Sequence, residues 1–98
     1  MTPQVAIFIY KTVKGVSGRA VCLLKEKDIS ITTAIMLCKY VTVLARAEET
    51  LFLYLNNALL MPQKDTKSLE EEIREDIYMA VEIEAEIKLK TNLSFEIH

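Results

Sequence analysis

The sequence predicts an α+β fold in which a small mixed sheet packs against one main helix. Three observations carry that expectation: a β-branched and aromatic run at Gln4–Tyr10, a three-and-four spacing of apolar residues after Ser30, and regular apolar–polar alternation from Tyr78 to Leu89. The 98 residues suit a single domain, 1–98, whose core is shared between few elements. Apolar residues make up 51% and charged residues 27% of the chain, the balance of a globular rather than a disordered sequence.

Taken in order, Gln4–Tyr10 reads as a central strand covered on both faces, because polar alternation is missing from it. Thr12 to Gly18, with Gly15 and Gly18, reads as a hairpin connection, and Arg19–Leu24 as the second strand. Lys25-Glu26-Lys27-Asp28 breaks the pattern and is expected at the surface. From Ser30 the period changes: Ile31, Ala34, Ile35, Cys38, Val41 or Thr42, and Ala45 form an apolar stripe along the main helix, capped by Ser30 or Asp28.

Leu51-Phe52-Leu53-Tyr54-Leu55 is the strongest strand signal. Alternation puts its leucines on one face and Phe52 and Tyr54 on the other. Asn56-Asn57 supplies a turn and Pro62 a further interruption. Thr66 or Ser68 caps a short helix through about Ile73, with Glu70, Glu71 and Glu72 near its positive end. In the last segment Val81, Ile83, Ala85, Ile87 and Leu89 point one way and Glu82, Glu84, Glu86, Lys88 and Lys90 the other, the pattern of a half-buried strand. After a turn, Leu93, Phe95 and Ile97 alternate again, which makes residues 84–98 an extended strand or a partner-binding tail.

Composition narrows the function. A net charge of -2 gives no strong attraction to nucleic acid or anionic lipid. No stretch approaches the roughly 20 apolar residues of a spanning helix, and the first residues lack a signal-peptide pattern. Cys22 and Cys38 read as buried thiols of a reducing compartment, so a cytoplasmic location is expected. The lone histidine is His98, which leaves no catalytic triad. No glycine-rich phosphate cradle is present, and the Glu70–Glu72 cluster reads as a solvated helix face rather than a metal site. The expectation is a binding protein with no cofactor and no enzymatic activity.

The stretch Glu49-Thr50-Leu51-Phe52-Leu53-Tyr54-Leu55-Asn56-Asn57 resembles the signature of the autophagy ubiquitin-like modifiers. The similarity continues through Ala58–Pro62, Lys67–Ile73 and Ile77–Val81, and covers about four fifths of the chain with the weaker match from Gln4 to Leu44. Glu70 stands where the family's short helix usually has an aromatic residue. Because the chain enters its first predicted strand at once, it is most similar to the autophagy-related protein 12 branch. The resemblance implies a ubiquitin-like β-grasp fold with a C-terminal extension. It implies pairing with an autophagy-related protein 5-like partner and engagement of an autophagy-related protein 3-like E2 enzyme, promoting lipid conjugation of the membrane-bound modifier. Membrane association would be indirect, through those partners.

The departure is at the end: the last glycine is Gly18 and the terminus reads Ser94-Phe95-Glu96-Ile97-His98. Without a terminal glycine, noncovalent pairing is the expectation, with a lipid-conjugated modifier or a generic β-grasp interaction module as alternatives. Partner contacts are expected from Phe52, Tyr54, Ile87, Leu89, Leu93, Phe95 and Ile97. For Phe52 and Tyr54, as for Phe8 and Tyr10, packing within the domain is the competing reading; for the tail, the competing readings are closure of the domain's own sheet and a partly ordered tail.

Overall fold

Thr2 and Pro3 start a helix where a strand was expected. The Thr2 hydroxyl accepts a hydrogen bond from the Val5 N–H at 3.2 Å, and Pro3 sits in the first turn, where its missing N–H is not needed. The computed structural model describes residues 1–91. They form three helices: α1 (Pro3–Leu24), α2 (Ile31–Leu60) and α3 (Lys67–Thr91). No strand occurs among the described residues, so the α+β, β-grasp expectation is corrected to an all-helical fold.

The core follows a seven-residue repeat in every helix. α1 buries Ala6, Val13 and Ala20; α3 buries Ile73, Ala80 and Ile87. α2 buries three such rows side by side: Leu37, Leu44 and Leu51; Met36, Val43 and Thr50; Tyr40, Ala47 and Tyr54. Seven residues are close to two helical turns, so each row stays on one side of its helix along the whole bundle. One row makes an outer helix and three make the central one.

Topology follows from the two short connections and two terminal contacts. The Tyr54 hydroxyl donates to the Met1 carbonyl at 2.8 Å, which sets the start of α1 beside the end of α2. The Met1 ammonium lies 3.3 Å from a Glu70 carboxylate oxygen, so α3 starts where α1 starts. The chain therefore runs up, down and up. α1 and α3 both pack on α2 but not tightly on one another: among the described residues no Cα of α1 comes within 8 Å of one of α3. The molecule measures 50 × 20 × 19 Å, its long axis set by α2, about 45 Å at 1.5 Å per residue.

Each misread element has a physical reason. The run Gln4–Tyr10 satisfies a helical period as well as a strand's, because Ala6 is buried while Val5, Ile7 and Phe8 are exposed. Gly15 and Gly18 lie within α1 and make no hairpin; Arg19–Leu24 continues the same helix. Leu51–Leu55 is part of α2: Leu51 and Tyr54 turn inward together and Phe52 and Leu53 outward, the three-residue spacing of a helix. Asn56-Asn57 is helical too, with the Asn56 amide donating to the Phe52 carbonyl at 3.0 Å.

The predicted final strand is the second half of α3. There Lys88 pairs with Glu84 at 3.3 Å and Lys90 with Glu86 at 2.9 Å, contacts four residues apart that a helix brings together. The predicted short helix ending near Ile73 is the beginning of α3, opened by the Asp65 carboxylate accepting from the Lys67 N–H at 3.0 Å. Threonines in the helices return their hydroxyls to the carbonyl four residues back, as Thr12, Thr42 and Thr50 do.

The start of α2 agrees with expectation: the Ser30 hydroxyl accepts from the Thr33 N–H at 3.1 Å. Its apolar stripe does not. Ile31, Ile35, Cys38, Thr42 and Ala45 face out, and the core rows lie on the other side of the helix. Cys22 and Cys38 are exposed, which corrects their reading as buried thiols.

Candidate interaction site

The gap between α1 and α3, floored by α2, is an apolar groove. Val13, Tyr40, Leu44 and Ala80 form its floor, and Phe8, Ile9, Thr12, Val16, Ile77 and Val81 its walls, with Glu84 as its one charged residue. Its volume is about 240 Å³, below the roughly 300–1,000 Å³ usual for small-molecule sites. The space suits a few apolar side chains better than a cofactor.

Polar chemistry in the groove is confined to one place. The Tyr40 phenol is hydrogen-bonded to the Glu84 carboxylate, and burial first, then that carboxylate, raises its pKa above the ordinary 10.0. Glu84 in turn meets Lys88 at 3.3 Å. The Tyr40 hydroxyl is thus held as a donor, and the Glu84 carboxylate stands between a phenol and an ammonium. A second buried phenol, Tyr54, is raised by burial and by Glu70, and is used by the Met1 carbonyl.

A second apolar region is the outer face of α2. Ile31 is 80% exposed, Phe52 59% and Leu60 74%, with Ile35 and Leu53 about half exposed between them. Beside this face a hollow of about 590 Å³ opens between α2 and α3, lined by Ile31, Ile35, Cys38, Thr42, Met79 and Ile83 among others. Further along, Glu49, Glu72, Glu75 and Asp76 gather around Arg46, which reaches Asp76 at 3.4 Å.

The contact residues expected from sequence divide. Phe52 is on the open face and Leu89 is 85% exposed at the outside of α3. Tyr54 and Ile87 are buried, 3% and 0% exposed, and belong to the core. Leu93, Phe95 and Ile97 lie outside the described residues. Phe8 stands open on the groove wall; Tyr10 is partly buried, with the Lys14 ammonium 5.7 Å from its ring centre. The glutamates at 70–72 spread round α3, and no group of three or more His, Cys, Asp or Glu among the described residues is arranged to hold a metal.

Sequence reading missed Thr12, Val13, Tyr40, Val81 and Glu84 as groove residues. The signal was there in the spacing of Ala6, Val13 and Ala20 and of Ile73, Ala80 and Ile87: two helices with single heptad rows leave a seam between them over a third. Comparison with protein-family models, with curated proteins and with solved structures finds no match. No helix among the described residues is long and apolar enough to cross a membrane.

Proposed function

We propose that the chain is a noncatalytic helical interaction subunit that receives an apolar helix of another protein in the groove between α1 and α3. The observation that carries this is the groove itself: α1 and α3 both pack on α2 without closing on one another, and the seam they leave, where a bundle would take a fourth helix, is lined by apolar side chains. An amphipathic helix laid along the seam would set every third or fourth residue against Phe8, Thr12, Ile77 and Val81. A hydrogen-bond donor on that helix would find the Glu84 carboxylate. This keeps the coarse content of the sequence expectation, binding to other proteins. The autophagy adaptor role is not carried forward, because the strand and turn that motivated it lie within α2.

The test is selection from a displayed library of amphipathic and scrambled peptides. Enriched sequences are expected to share an apolar stripe at three-and-four spacing, and Val81→Glu is expected to weaken their binding about tenfold or more, since it puts a charge on the wall. Val81 is more than half exposed, so the substitution spares the core. Enrichment without helical spacing, or binding unaffected by Val81→Glu, would refute the proposal.

A further inference from the structure

The outer face of α2 carries a separate conclusion, independent of the groove. A helix on a bundle surface ordinarily turns charged residues to solvent. Across the 30 residues of α2, the charged side chains are Lys39, Arg46, Glu48 and Glu49, and the other exposed residues are mostly apolar, Ile31, Ile35, Phe52, Leu53, Leu59 and Leu60 among them. We propose that a second copy of this chain covers that face, its α2 packed antiparallel to the first about a two-fold axis at the level of Leu44.

The order of residues along the face selects this occupant and this direction. Bulky side chains stand at both ends, Ile31 and Ile35 at one and Phe52, Leu53 and Leu60 at the other. Small ones, Thr42 and Ala45, stand in the middle, beside Arg46, whose guanidinium is turned to Asp76. An antiparallel pair about Leu44 sets Ile35 level with the second copy's Leu53, and Thr42 within one residue of the level of the second copy's Ala45, where the two backbones must come closest. The hollow lined by Ile31, Ile35, Met79 and Ile83 then receives the bulky C-terminal end of the other α2.

Charge points the same way. Lys39 and Glu49 lie five residues on either side of Leu44, so the two-fold brings each Lys39 level with the second copy's Glu49. That carboxylate belongs to the acid-rich cluster with Glu72, Glu75 and Asp76, where Arg46 is already engaged by Asp76. A parallel pair would instead put Lys39 beside Lys39 and Glu49 beside Glu49. An isologous interface requires this self-complementarity.

Size sets the strength. A face about 45 Å long and about 10 Å wide buries on the order of 1,000 Å² over both copies, the lower bound for a specific interface. The dimer is therefore weak and depends on concentration.

Sedimentation equilibrium of the full chain from about 1 to several hundred micromolar tests it. Dimer is expected at the upper end. Ile35→Glu and Leu53→Lys are each expected to weaken association about tenfold or more, and the two combined in one chain to restore it, because each new carboxylate meets the second copy's new ammonium. In a Cys22→Ser, Cys38→Ser background, Ala45→Cys is expected to form a disulfide-linked dimer on mild oxidation. Ile31→Cys is not, its two copies being roughly 39 Å apart along the axis. A chain monomeric throughout, whatever else binds the face, overturns the proposal. So does association indifferent to both charges, unrestored by their combination, or linked as readily through Ile31→Cys.

Discussion

The inner and outer faces of α2 have similar chemistry and opposite surroundings. Inward, Leu37, Leu44 and Leu51 are nearly or wholly shut off from water by α1 and α3; outward, Ile31, Ile35, Phe52 and Leu53 meet none of the chain's own helices in that way. Hydrophobicity alone does not separate them. What separates them is the seven-residue repeat, because α1 and α3 offer rows that match only the inner side. The inner face thus specifies the fold, and the outer face is left for another molecule.

Substitutions should treat the two faces differently. The largest effect is expected from Leu51→Ala, which removes a fully buried side chain and should cost about 2–5 kcal/mol in urea unfolding. Leu53→Ala, two residues along on the open face, should stay within about 0.5 kcal/mol when measured at a concentration where the chain is monomeric. Equal losses at both positions would mean that the faces are not distinct. Ala47→Leu sharpens the same contrast, since Ala47 has no exposed surface. Overpacking there should cost about 1–3 kcal/mol, against almost nothing for Ala45→Leu.

Alkaline titration reads the inner face in another way. The Tyr40 phenol is raised above 10.0 by burial and by Glu84, so in the folded protein it keeps its proton in a range where the unfolded chain has lost it. Its contribution is complete below about pH 10 and declines as pH rises toward the folded value, by about 1.4 kcal/mol per pH unit. Stability measured from pH 9 to 11.5 should fall, and Tyr40→Phe should flatten that fall while leaving the part due to Tyr54. An unchanged slope would show that Tyr40 titrates normally. A small gain is expected at Gly18, exposed on α1 with no neighbouring atom within 4 Å of the point where a side-chain methyl would stand. Gly18→Ala should raise stability by about 0.5–1 kcal/mol, and a loss there would show that α1 needs glycine.

Part of this architecture was legible in the sequence. Ser30 does cap a helix, Pro62 does fall in a connection, and Lys25–Asp28 is exposed. The helical stripe after Ser30 was real in its spacing and wrong in its meaning, since apolar residues cover nearly the whole circumference of α2 and periodicity cannot say which side is covered. Tyr78–Leu89 satisfied two periods at once. Its Glu84–Lys88 and Glu86–Lys90 spacings and its glutamate, alanine and leucine content favour a helix, but strict alternation hides them. For the candidate site, Phe52 and Tyr54 would share a face in a strand. In a helix they turn to different sides, which is why one is open and the other buried.

Hydroxyl-radical footprinting of residues 51–54, at low and at high protein concentration, tests both faces together. At low concentration Leu51 and Tyr54 should be protected while Phe52 and Leu53 are oxidised, and at high concentration Phe52 and Leu53 should become protected as well. Protection of Leu51 with Leu53 while Phe52 and Tyr54 react would restore the strand. Oxidation of Phe52 and Leu53 that does not change with concentration would leave the outer face without its second copy.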